Sequence, residues 1–227
     1  MTDADFRANR LLAALPAAEY EHLRANLKPV RLEFGATLYR PRQVLRHVYF
    51  PLDAVTARIY LGADGSTTSL GVIGREGIVG MAAFLGGQEI LSETQVIAAG
   101  TALRLAVDSL GREFDRGGAL QKELLAFAQA FSAQTGQIAV CNRHHAVDQQ
   151  LCFWLMLCLE RLPGNEMCVT QELLASLIGV RREGVTRAAL KLRKLGLLDY
   201  KHGRLKVPDP ERLKPLACEC YHIVHDV

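Results

Sequence analysis

The chain has 227 residues, 49% hydrophobic and 22% charged, with a net charge of +3, enough for one large domain or two modest ones. Its longest wholly apolar run, Leu151 to Leu159, is far short of the roughly 20 residues that a membrane helix needs, and the opening MTDADFRANR lacks the apolar core of a secretory signal, so a cytoplasmic protein with no membrane partner is expected. All six cysteines fall from Cys141 onward, which argues against a secreted disulfide scaffold and predicts reduced thiols.

Leu11, Leu12, Leu15, Leu23 and Leu27 have helical spacing broken by Pro16, which predicts short N-terminal helices. From Val30 the apolar period changes to two, through Val30, Leu32 and Phe34, then Val55, Ala57, Ile59 and Leu61, and later Leu103, Leu105 and Val107. Turn signals at Gly35, Asp64-Gly65, Gly71, Gly74, Gly77, Gly86-Gly87 and Gly100 separate these runs. An antiparallel β-roll or barrel is the expected outcome.

After Gly117-Gly118 the pattern returns to a helix. Leu120, Leu124, Phe127, Phe131, Gln134, Ile138 and Cys141 recur at alternating steps of four and three, a heptad stripe with one polar position. It fits either a helix lying on the β domain or a seam between two copies of the chain. A further helix follows, with Leu151, Trp154, Leu155, Cys158, Leu159 and Leu162 on one face and Phe153, Met156 and Leu157 on the others, so it should be buried. Pro163-Gly164-Asn165 ends it.

Charge is concentrated in one place. Arg181 to Lys206 carries nine Lys or Arg against Glu183 and Asp199, a local +7 that leaves −4 for the remainder. A cationic patch on an otherwise acidic chain suits a polyanion at one face. Counting from Gln171 as one, Ala175 stands at five, Gly179 at nine and Val185 at fifteen, with Leu174, Ile178, Val180 and Ala188 at the remaining apolar positions. Two closely crossing helices need this pattern: a small residue at the contact and a glycine at the turn. Thr170 is the expected N-cap of the first helix.

The outward positions of the second helix are then Arg181, Arg182, Glu183, Thr186, Arg187, Lys191 and Lys194. An arginine at this end matches guanine O6 and N7, and a carboxylate accepts from cytosine N4. Arg181, Arg182, Glu183 and Arg187 are therefore expected base readers, although Glu183 could equally orient Arg187 by an i, i+4 ion pair. Strands around the two-residue turn His202-Gly203 form a wing. Together with Thr170, Thr186 and Lys191, the wing residues Lys201, His202 and Arg204 are expected on phosphates.

With these residues in view, the chain resembles the Crp/Fnr superfamily of bacterial transcription regulators, most specifically in "TQELLASLIGVRREGVTRAALKLRKLGLLDYKHGRL". The resemblance implies an α+β fold: an N-terminal cyclic-nucleotide-binding-like β-roll over 1–117, a long dimerisation helix and hinge over 118–145, and a C-terminal winged helix-turn-helix over 146–227. The family's Arg-Glu pair with a following Arg falls on Arg182, Glu183 and Arg187. The family also implies a homodimer joined through Leu120, Leu124, Phe127, Phe131, Gln134 and Ile138, a palindromic double-stranded DNA operator, and RNA polymerase as a further partner.

The departures from the family pattern fall in the β-roll. In cyclic-nucleotide-binding members a Gly-Glu pair holds the ribose and an Arg with Ser or Thr holds the phosphate, whereas here Ile78 follows Gly77, and Glu93 and Thr94 stand where Arg and Ser or Thr are expected. An acid facing a phosphodiester is repulsive, which argues against cAMP and cGMP. Gly77, Ile78, Val79, Gly80, Glu93 and Thr94 remain the place to seek another effector, with amides at the glycines as an anion cradle. No cysteine precedes Cys141, so the N-terminal iron-sulfur cluster of one family branch is not expected. Cys218, Cys220, His222 and His225 have ligand chemistry, but Cys220 falls off the helical face that the other three share, so packing cysteines and no metal are expected.

No nucleotide-binding glycine loop, metalloprotease motif or nucleophile elbow is present, so an enzyme is not expected. The competing reading is a metal, redox or small-molecule sensor whose winged helix docks on protein instead of DNA.

Overall fold

The structure is a computed structural model that describes residues 6–87, 90–201 and 203–225. The chain forms two compact units, one from the residues up to Thr56 together with Ile73–Phe131, the other from Ala57–Val72 and Ser132 onward. These borders run differently from the divisions at 117 and 145 that the resemblance implies. The hairpin around Gly65 packs with the second unit, and one continuous helix carries the chain from the first unit into it.

In the first unit Pro16 does break the early helix, giving α1 (Arg10–Ala13) and α2 (Ala17–Arg24). Asn9 caps α1, accepting from the Leu12 amide at 3.2 Å while its own amide donates to Pro51 O and Gly77 O, both at 2.9 Å. A buried side-chain amide is tolerated because all these bonds are made. The strands are β1 (Lys28–Leu32), β2 (Thr37–Tyr39), β3 (His47–Pro51), β4 (Val55–Leu61), β5 (Thr67–Ile73), β6 (Glu93–Ala98) and β7 (Gly100–Ala106). They pair in the orders β1-β7-β3 and β2-β6-β4-β5, the antiparallel β-roll expected from the alternating runs.

A short helix α3 (Val107–Phe114) leads into the long helix α4 (Ala119–His144). The Glu19 carboxylate caps α4 by accepting from the Ala119 amide at 2.9 Å and the Leu120 amide at 3.0 Å. These two bonds hold the Glu19 carboxyl below its ordinary range. Gly118 permits the approach, since a β-carbon there would lie 2.7 Å from the Glu19 oxygen.

Within the chain the α4 stripe lies on the β-roll, the first of the two uses that its spacing allows. Leu120, Leu124 and Phe131 join the apolar core of the first unit with Leu12, Tyr20, Phe50, Leu103 and Leu110, and half-buried Phe127 packs against them. Gln134 accepts from the Val72 amide at 2.7 Å, and Ile138 is buried. The chain buries these residues in itself, because a helix lying on a β-roll needs the same apolar face that a coiled coil would use. The exposed side of α4 instead carries Leu125, Gln129, Ser132, Gly136, Ala139 and Val140.

Candidate nucleic-acid interface

The second unit holds α5 (Val147–Leu159), buried from Gln150 to Leu159 as its all-round apolar sequence requires. It ends at Glu160, before the Pro163-Gly164-Asn165 turn that was expected to stop it. Strand β8 (Glu166–Cys168), unforeseen in the sequence, pairs with β10 (Arg204–Lys206), which in turn pairs with β9 (Asp199–Lys201). These three strands are the wing.

Between β8 and the hairpin lie α6 (Gln171–Ile178) and α7 (Arg182–Lys194). Thr170 caps α6, its hydroxyl oxygen accepting from the Leu173 amide at 3.0 Å. Gly179 ends α6 at φ +77°, where both its own amide and that of Val180 reach Ala175 O, at 2.9 and 3.1 Å. A side chain at 179 would be strained by this φ and would also meet Thr68 Oγ1 at 2.9 Å. Leu174, Ala175, Ile178, Val185 and Ala188 are all buried, which accounts for the residue spacing read from the sequence.

That burial determines what α7 presents outward. Arg181, Arg182, Glu183 and Arg187 are exposed at its N-terminal end, and Lys191, Arg193 and Lys194 continue the cationic surface. Arg182 Nε lies 3.9 Å from Glu172 Oε2, an exposed pair worth little in water and readily exchanged for another anion. Lys191 is bound to the Asp148 carboxylate, whose pKa it pulls down. It is therefore an engaged cation where a free one was expected.

Thr186 also departs from the outward role assigned to it. It is half-buried, and its hydroxyl donates to Gln171 Oε1 at 2.8 Å with Arg182 O as the alternative acceptor at 3.0 Å, so it ties α7 to α6. In the wing Lys201 lies 3.4 Å from Asp199 and Arg204 3.0 Å from Glu166, all at the surface. His202, also expected on phosphate, lies outside the described residues.

Sequence spacing gave no sign of the contact that the β4–β5 hairpin makes with this module. Thr67 Oγ1 and Ser176 Oγ are 2.5 Å apart, and Asn142 Nδ2 donates to Thr68 Oγ1 at 3.4 Å. These partners are far apart in the chain, and single hydroxyls carry no periodic signal.

The residues of the expected effector cradle are largely built into the β-roll. Ile78, Val79 and Thr94 are buried. The Gly77 amide donates to Gly74 O at 3.2 Å and the Val79 amide to Tyr49 O at 2.8 Å, so neither is free for an anion. Glu93 accepts from Thr37 Oγ1 at 3.3 Å, and Gly80 at φ +106° leaves no room for a β-carbon beside the Tyr39 hydroxyl. This part of the turn serves strand pairing and core packing.

The cysteines divide into three kinds. Cys152 and Cys158 are buried in the apolar body of α5, where burial pushes the Cys152 thiol up to about 12, and Cys168 is exposed on β8. Cys141, Cys218 and Cys220 instead converge with His145, a grouping different from the one suspected in the sequence. His222 and His225 lie outside this grouping on α9 (Glu219–His225), which follows α8 (Pro210–Leu213), and both pack against the Tyr221 ring.

Comparison with known proteins agrees with this geometry. Residues 149–216 match the Crp-like helix-turn-helix domain. The nitrogen fixation regulation protein FixK of Bradyrhizobium diazoefficiens is 24% identical over 226 residues, covering 95% of this chain and 93% of the relative. The structure of FixK2 from Bradyrhizobium japonicum superposes with a TM-score of 0.71 at 14% identity, over 85% of this chain and 98% of the other. A CRP/FNR-family transcriptional regulator from Thermus thermophilus gives 0.64 at 19% identity, over 84% and 98%. No helix among the described residues is long and apolar enough to cross a membrane. Residues 149–216 thus carry a Crp-like helix-turn-helix domain, and the whole chain, with its β-roll, long helix and cationic helix-turn-helix, shares the fold of these transcription regulators.

Proposed function

We propose that the protein acts as a homodimer that sets two copies of α7 into successive major-groove turns of a palindromic operator, at half-site centres about 34–36 Å apart. Arg181, Arg182, Glu183 and Arg187 read base edges, while Thr170, Lys191, Lys201, His202 and Arg204 hold phosphates. Thr186 serves by fixing α7 on α6. The two copies meet through the exposed α4 face of Leu125, Gln129, Ser132, Gly136 and Ala139, with Val140 beside it, whose steps of four and three suit a helix pair with close backbones. RNA polymerase is the further partner that the family suggests. The β-roll transmits a signal other than cAMP or cGMP, or none.

The observation that supports this most is the partition of α7: Val185, Ala188, Ala189 and Leu192 are buried, while Arg181, Arg182 and Arg187 are exposed at the end that enters a groove. A duplex titration over a range of salt concentrations tests it. Binding that weakens steeply with salt, at two chains per duplex, is expected. Salt-insensitive binding, or binding to protein alone, would favour the sensor reading.

A further inference from the structure

The four side chains Cys141, His145, Cys218 and Cys220 come from two distant segments. Cys141 and His145 are four residues apart at the end of α4 and so share a face. Cys218 and Cys220 bracket Glu219 at the start of α9. Their ligand atoms all lie within 4.8 Å of one another. Cys141 Sγ is 3.5 Å from Cys218 Sγ, and Cys220 Sγ is 3.4 Å from His145 Nδ1. Tetrahedral zinc, with bonds of about 2.3 Å to sulfur and about 2.0–2.1 Å to nitrogen, separates its ligand atoms by roughly 3.5–3.8 Å. The spacing matches a single ion and is too tight for a sulfide-bridged cluster.

The surroundings are those of a ligand set and not of packing thiols. His145 Nε2 lies 3.2 Å from Glu219 Oε1, which holds the ring with Nε2–H donating outward and the Nδ1 lone pair facing the sulfurs. Gln137 Nε2 donates to Cys220 Sγ at 3.1 Å. Gln150 Nε2 donates to His145 O at 2.8 Å, fixing the backbone that carries the histidine. A cysteine that only fills space, as Cys152 does, needs neither an imidazole nor a carboxylate behind it.

We propose that Cys141, His145, Cys218 and Cys220 form a Cys3His site for one zinc ion, which staples the end of α4 to the C-terminal segment. Binding forms three metal–sulfur bonds and one metal–nitrogen bond and releases three thiol protons, with no change of oxidation state. The ion closes a loop that contains the whole winged helix, so its presence sets how firmly that module is held. This site is independent of the DNA reading, and its test involves no DNA.

The full chain is purified under reducing conditions without chelator, its metal content is measured, and the metal-free protein is titrated with Co2+. One zinc per chain is expected, and cobalt should give the intense visible bands of a tetrahedral site together with thiolate-to-metal charge transfer. Cys220→Ser and His145→Ala should lose the ion or its tight binding, whereas Cys168→Ser and His222→Ala should keep it. His145→Ala leaves all three buried thiols in place, so this variant serves if Cys220→Ser does not fold. Glu219→Gln should keep the cobalt spectrum but bind about 10–100-fold more weakly, as expected of a positioning residue. Cobalt bound without charge transfer, metal content indifferent to Cys220→Ser and His145→Ala, iron with sulfide, or a metal-free protein that takes up no ion would each overturn the proposal.

Discussion

A β-carbon added to Gly77 would lie 2.0 Å from the Phe127 ring, so helix α4 itself occupies the space beside the turn where a ligand cradle was sought. Gly77→Ala must therefore displace an aromatic ring or the turn. A loss of about 1–3 kcal/mol in unfolding free energy is expected, the usual cost of overpacking, and urea denaturation measures it. An unchanged midpoint would mean that the ring moves freely.

The cap that Glu19 places on α4 gives a pH dependence whose sign follows from its lowered pKa. A carboxyl depressed by folding contributes stability that is complete above its unfolded value, and that contribution fades as pH falls through the folded value. Denaturation midpoints should therefore fall in acid for the native chain, and Glu19→Ala should fall less steeply over the same range. Parallel curves would show that the cap carries no charge-dependent stability.

The helix-turn-helix was the most legible part of the molecule because its constraints are local. Ala175, Gly179 and Val185 must be small, glycine-like and apolar at fixed offsets, and all three positions hold in the structure. The α4 stripe left two coverings open because periodicity identifies a buried face without naming what covers it: Leu124 is fully buried by its own chain, while Leu125 beside it is 46% exposed. Long-range polar pairs such as Thr67 with Ser176, and the meeting of Cys141 with Cys218, depend on tertiary folding and leave no mark on local spacing.

Leu124 and Leu125 therefore separate folding from pairing. Leu124→Ala should cost about 2–5 kcal/mol of stability, as deletions in a packed core do. Leu125→Glu should leave the fold intact by circular dichroism but shift the chain from dimer to monomer in sedimentation. A dimer that survives Leu125→Glu would place the contact between copies elsewhere.

Arg182 and Lys201 are assigned to different tasks on DNA. Arg182→Ala should weaken binding to the selected site by about 1–3 kcal/mol and relax preference at one base pair, with little effect on random duplex. Lys201→Ala should weaken both duplexes alike and reduce the salt slope by about one. Equal losses on both duplexes for Arg182→Ala would remove it from base readout.

Selecting bound fragments from a random duplex pool, at two salt concentrations, reaches the central claim most directly. The account predicts an inverted repeat whose half-sites lie about one helical turn apart and which is retained at the higher salt. A pool that stays random, or a single unrepeated half-site, would contradict the paired, groove-reading α7 on which the account rests.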